Sequence, residues 1–171
     1  MGSDTAPDAA DEIERRVVAA LEGHGLPYEV HRIDPDFADT AAYCEKYGSP
    51  PEHAANTIIV ASKKEPKQFA ACVVKATRRL DGNHTVRRLM GAARISFASA
   101  DETRELTGMM IGGVTVLALP PDLPIYVDET LMDLPWIILG GGSRSTKIKV
   151  SPEIFRTIAA ATVVPGLSNP I

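Results

Sequence analysis

AANTIIVA (residues 54–61) and QFAACVVKA (residues 68–76) decide the fold. Thr57 to Ser62 reads as a β-strand, with Asn56 just before it where a loop or helix hands over to the sheet. Lys63, Lys64 and Pro66 mark a turn, and Gln68 to Ala76 is the hairpin partner. That partner is apolar almost throughout, the pattern of a strand covered on both faces. A layered core must therefore surround this hairpin, and the flanking sequence has to supply both layers.

On the N-terminal side, Ile13, Val17 and Leu21 recur at helical spacing, so a helix is expected over Asp11 to Glu22, ended by Gly23 and Gly25. Tyr28 to Ile33 alternates as a strand. Asp39 or Thr40 opens a short helix to Tyr47, with Gly48 as its stop, and Ser49-Pro50-Pro51 begins a further turn. On the C-terminal side, Val86, Leu89 and Met90 form one face of a helix closed by Gly91, and Ile95 to Ala98 is a short extended piece. Ser99-Ala100-Asp101-Glu102 is a capping box for a helix running to about Thr107 and stopping at Gly108. Val114 to Leu119, Ile125 to Val127, Trp136 to Leu139 and Thr146 to Val150 read as strands, and Ser151-Pro152-Glu153 starts a last helix. Hairpins and helices are mixed rather than strictly alternating. The expectation is a single α+β domain with one curved, barrel-like mixed sheet and peripheral helices. Residues 1–11 read as a disordered leader, 12–162 as the domain and 163–171 as a tail with turn chemistry.

A chain of 171 residues can bury about 70% of its unfolded surface, so it needs no disulfide or metal for its core. No apolar run approaches the roughly 18 residues of a membrane span, and MGSDTAPDAADE has no apolar segment of the secretory kind. Cys44 and Cys72 belong to no C-x-x-C pair and the four histidines are scattered, so no zinc site is expected. Two lone thiols fit a reducing cytoplasm. The net charge of −4 argues against a general nucleic-acid binder. The charge is uneven, however: residues 1–52 hold 12 acids and 4 bases, residues 53–171 hold 10 acids and 14 bases, and the later part can present a local basic face.

Four places can carry chemistry. Asn56 is either an amide satisfying loose backbone groups or a ligand contact. Gly112-Gly113 is either a tight turn or a close backbone approach to a ligand. GGGSRSTK (residues 140–147) suits an anion-holding loop or a flexible charged hairpin. Asp128, ending Ile125-Tyr126-Val127, can accept from a ligand or cap the turn at Glu129 to Asp133.

Six stretches in register resemble the YbaK/prolyl-tRNA-synthetase-associated family of aminoacyl-tRNA deacylase domains. They are YEVHRIDPDFADTAAY, AANTIIVA, QFAACVVKATRRLD, ISFASADETRELTGMMIGGV, LPIYVDETLMDL and LGGGSRSTKIKVSPEIF, together spanning about Leu26 to Ala161. The resemblance implies a trans-acting hydrolase that cleaves the ester of mischarged tRNA bearing a small amino acid, without metal or organic cofactor. It implies a pocket in which Gly112, Gly113 and Val114 approach the aminoacyl group, while Asp128, Gly141, Ser143 and Arg144 line the wall. Lys75, Arg78, Arg79, Arg87 and Arg88 would meet the tRNA backbone. The partner implied is the tRNA acceptor end; a homodimer and association with a synthetase stay open. Active relatives carry a lysine where this chain has Asn56, and family loops commonly continue with prolines after Gly-Gly-Val, where this chain has TVLALPP. If the deacylase acts, Lys75, Lys147 or Arg144 can supply the missing cation, as can a neighbouring copy in an oligomer. The alternative is a relative that binds an aminoacyl-tRNA end, a nucleotide-like ligand or a protein without hydrolysing it.

Overall fold

A computed structural model describes residues 9–171. In chain order the elements are α1 (Ala9–His24), β1 (Tyr28–Arg32), α2 (Thr40–Tyr47), β2 (Ala55–Ser62), β3 (Phe69–Lys75), β4 (Arg78–Leu80), α3 (Arg87–Met90), β5 (Ile95–Phe97), α4 (Ala100–Thr107), β6 (Ile125–Asp128), β7 (Ile137–Gly140), β8 (Thr146–Val150), α5 (Ile154–Thr157), β9 (Ala161–Val164) and β10 (Ser168–Pro170). Short 3₁₀ turns fill several connections.

The hairpin is the centre. β2 and β3 pair antiparallel from Ala55↔Lys75 to Ala61↔Phe69. The larger sheet has the order β5-β2-β3-β6-β9, with β6 parallel to both β3 and β9. β1, β8 and β7 form a separate antiparallel sheet, which meets the large one at the parallel bridge Ala54↔Ile138. β10 and β4 form a third ladder. The architecture is the expected α+β domain, but three ladders replace one continuous sheet, and no pairing among the described residues closes a barrel.

β3 is covered on both faces, as its composition requires. Ala71 and Val73 join the main core with Ile13, Val17 and Leu21 of α1, while Ala70, Cys72 and Val74 join a second cluster with Val60, Val86 and Leu167. Both cysteines are free and buried, and burial alone pushes the Cys72 thiol up to about 12. Among the described residues no helix is long and apolar enough to cross a membrane.

Local signals that close within a few residues are honoured. Ser99 and Glu102 exchange both capping-box bonds, and Gly48 and Gly108 take the left-handed cap conformation. Two further expectations are corrected. Val114 to Leu119 is a run of turns rather than a strand, and Ala118 sits at φ 64°. Residues 163–171 are not a loose tail: Val163 and Val164 belong to β9, and β10 pairs with β4, burying Leu167 and Ser168. The leader expectation lies outside the described residues at positions 1–8, and from Ala9 onward the chain is already helical.

Candidate functional site

A cavity of about 300 Å³ lies where the two main sheets meet. β2 contributes Ala55 to Ile59, including Asn56; α2 and its cap contribute Asp39, Thr40 and Tyr43. The glycine turn contributes Ile111, Gly112 and Val114, and the second sheet contributes Ile138, Leu139, Gly140 and Lys147. Phe97, Ala98 and Thr103 complete it.

Asn56 lies inside β2 rather than before it. Its side-chain oxygen accepts a hydrogen bond from the Thr40 hydroxyl at 2.6 Å, which ties the first turn of α2 to the sheet. The Thr57 hydroxyl, in the same wall, is buried with no hydrogen-bond partner among the described residues.

Lys147 is the cation of this cavity. In register it stands between His31 of β1 and Gly140 of β7. Cross-strand partners share a face, and the absence of a side chain at Gly140 lets the Gly113 and Val114 backbone pack directly on β7 beside the lysine. The residue is only 6% exposed, and its ammonium donates to the Gly112 carbonyl at 2.8 Å while lying 5.6 Å from the Tyr43 ring centre. Burial drives its pKa down to about 8; Asp39 and Cys44 oppose that shift and Arg144 adds to it. A neutral carbonyl is a weak counterpart for a buried charge.

The two glycine loops pack on each other instead of forming two cradles. The Gly142 N–H donates to the Gly113 carbonyl at 2.6 Å, and the Met110 N–H donates to the Gly142 carbonyl at 3.3 Å. The Gly113 N–H donates to Met110 O at 2.8 Å, so it is already spent inside the turn. Among the described residues no acceptor is found for the N–H groups of Gly112 and Val114. Gly112 sits at φ 93°, in the left-handed region that favours glycine.

The remaining sequence candidates fall elsewhere. Gly141 is buried against Thr146. Ser143 donates to Glu14 at 2.5 Å, joining the loop to α1. Arg144 donates to Asp39, to the Ile111 carbonyl and to the Pro35 carbonyl, so it braces the wall from behind and is committed there. Asp128 is 1% exposed and is absent from the cavity lining. It caps the following turn through Thr130, accepts from Ser168 and lies 3.8 Å from the Arg78 guanidinium. The cap reading of Asp128 is the one the geometry realises, and this carboxylate does not line the cavity that holds Gly112 and Val114. Arg78 also donates to both Ser168 oxygens, leaving it a structural clamp on β10. Lys75 is half-buried at the end of β3, while Arg79, Arg87 and Arg88 are exposed. Arg87 and Arg88 share a shallow hollow with Asn83, His84, Gly91 and Ala92, distinct from the cavity.

Sequence reasoning missed Phe97 and Ile111. They are 64% and 50% exposed, yet both line the cavity, forming apolar lips at its opening. An isolated apolar residue on a short edge strand or a turn carries no periodic signal.

Residues 34–158 match the family described as "Aminoacyl-tRNA editing domain". Among solved structures, a "putative trans-editing enzyme for prolyl tRNA synthetase" superposes with TM-score 0.78 at 25% identity, covering 97% of this chain and 99% of that one. The "hypothetical protein APE2540" superposes with TM-score 0.79 at 27% identity, covering 90% and 99% respectively.

Proposed function

Because the chain belongs to the aminoacyl-tRNA editing domain family, we propose that it acts in trans as a deacylase, hydrolysing the ester that joins a small amino acid to the 3′ end of a tRNA, in the cytoplasm where charged tRNA is used. The observation that carries this reading is the cavity where Asn56, Gly112, Val114 and Lys147 converge. Its volume of about 300 Å³ is at the low end for small-ligand sites, which suits a short acyl group on a ribose.

The lining holds no serine, cysteine or histidine. Its chemistry is therefore placement and polarisation, with water as the nucleophile. Water oxygen bonds to the ester carbonyl carbon and the carbonyl π pair moves onto oxygen. Collapse then breaks the bond to the ribose oxygen, which leaves with a proton from the attacking water, and the new carboxylic acid loses its proton to solvent. The N–H groups of Gly112 and Val114 are unspent donors beside this site. Asn56 contributes an amide held in place by Thr40.

The exposed lips suit the terminal nucleobase. Stacking of a base on an aromatic ring is worth about 1–3 kcal/mol. Phe97→Ala is accordingly expected to weaken binding of an aminoacyl-tRNA by about 5- to 150-fold. The measurement is KM, with kcat changing less; an unchanged KM removes the base from this surface.

The whole reading is tested by incubating the full chain with tRNAs charged with different amino acids, including alanine and cysteine on proline tRNA. Hydrolysis above the buffer rate for a small amino acid is expected. A second reading, binding without turnover, is favoured by the neutral Asn56 and predicts retention of the charged tRNA with no such hydrolysis.

A further inference from the structure

We propose that Lys147 is a catalytic residue, its ammonium stabilising the oxyanion that develops on the ester carbonyl, so that the positive charge of this cavity comes from β8 in the second sheet rather than from β2. The proposal rests on the deacylase reading and deepens it by assigning the charge.

Three observations converge. Lys147 lines the same cavity as Asn56 and is the only lysine or arginine among the lining residues. Its ammonium is anchored on Gly112, whose own N–H has no acceptor among the described residues. A backbone donor and a cation thus line one cavity, and both act on an oxyanion formed between them in a site sheltered from water. Finally, among the described residues the ammonium has no carboxylate partner within ion-pair distance: Asp39, the acid that acts on it most, is bonded to Arg144 at 3.1 Å. An ammonium that is buried on a neutral carbonyl gains most from an anion arriving in the cavity. The other two candidate cations fail on geometry, since Lys75 is outside the lining and Arg144 is bound behind it.

During the reaction Lys147 remains protonated throughout. It donates a hydrogen bond to the oxygen that receives the carbonyl pair and returns to its ground-state contact when the ribose oxygen leaves. No proton or electron is exchanged with the lysine.

The charge is lost as pH rises through about 8. The groups facing it are Asp39, Tyr43 and Cys44 from α2 and its cap, Arg144 from the loop before β8, and His31 across the strand pair. The value of kcat/KM, corrected for the uncatalysed rate, should therefore fall above pH 8.

The test compares the full-length protein with its Lys147→Met variant on the charged tRNA that the wild type hydrolyses best. The expected result is a loss of about 100-fold in kcat, KM within a few-fold, no falloff above pH 8 in the variant, and a melting temperature at or above that of the wild type. A variant with kcat within three-fold of the wild type, or a wild-type profile that stays level from pH 7 to 9, overturns the role of Lys147 while leaving the deacylase reading intact. A rise in KM with kcat unchanged also overturns it, placing the lysine on a ground-state phosphate instead. A wild type that hydrolyses no charged tRNA defeats the deacylase reading and this assignment together.

Discussion

Gly113→Ala should lower the melting temperature by about 6–12 °C and abolish turnover at the working temperature. A β-carbon at this position falls inside 3.0 Å of both the carbonyl carbon and the carbonyl oxygen of Ser143. Both are backbone atoms in a loop that is tied to α1 through Glu14 and to the glycine turn through Gly142. Neither side can yield cheaply. Overpacking a well-filled interior costs about 1–3 kcal/mol and sometimes more; a clash against two fixed loops belongs at or above the upper end. Each kcal/mol is worth about 2–4 °C in a domain of this size. Gly23→Ala is the control: it lies in α1 with open space around its β-carbon, and it should be neutral or stabilising by up to about 1 kcal/mol. Thermal unfolding of the two variants separates a loop-on-loop contact from a general dislike of substitution. Equal melting temperatures would show that the two loops are not packed as described.

Asp128→Ala is expected to cost about 3 kcal/mol of stability while leaving the chemistry in place. The carboxylate is buried, shared between Thr130, Ser168 and the nearby Arg78 guanidinium. Removing one partner of a buried charged network leaves the other unsatisfied, which typically costs about 3–5 kcal/mol; Arg78 is partly exposed and keeps its bonds to Ser168, which lowers the figure. The C-terminal strand should loosen first, because Ser168 is gripped from both sides by this pair. The check is denaturant unfolding together with kcat/KM measured well below the transition. A loss of more than about tenfold in kcat/KM in the folded variant would return Asp128 to the reaction.

The β2–β3 hairpin was legible because a strand covered on both faces needs an unbroken apolar run, and QFAACVVKA is one. The capping box at Ser99 and the glycine stops at Gly48 and Gly108 were legible because each is satisfied within a few residues. The run Val114 to Leu119 misled because its residues are buried by the packing of turns, with Val116 and Leu117 nearly inaccessible; apolar content alone does not distinguish that from a strand. Ser168 to Pro170 was invisible for the opposite reason. It is polar, three residues long, and pairs with Arg78 to Leu80 about ninety positions earlier. Asn56 and Gly112, both candidate contacts from the sequence, line one cavity, whereas most of GGGSRSTK packs against neighbouring elements. Its glycines serve a close approach between loops, and of residues 140–147 Gly140 and Lys147 line the cavity. The signal for that was present in β8, where Thr146, Ile148 and Val150 alternate with lysines at 147 and 149, but which lysine is buried depends on the distant glycine turn, whose Gly112 carbonyl receives Lys147.

The stability consequence of Lys147 runs against its chemical one. Its pKa falls from 10.5 to about 8 on folding, so between those values the unfolded chain binds more protons than the native one. Stability therefore rises with pH from about 8 to 10.5, and below pH 8 the charged lysine lowers stability by about 3 kcal/mol relative to a neutral group. Losing its bond to Gly112 costs about 1 kcal/mol, leaving Lys147→Met about 2 kcal/mol more stable at pH 7. A residue kept for packing would show the reverse.

The most direct test places a ligand in the cavity. Alanyl-adenosine with the ester replaced by a 3′-amide cannot be hydrolysed and presents the acyl group, ribose and base together. Titrated into isotope-labelled protein and followed by NMR, it should perturb the Gly112 and Val114 amides and the Lys147 ammonium first, with Phe97 following. Perturbation confined to the Asn83–Ala92 hollow, or no perturbation at saturating ligand, would contradict the account.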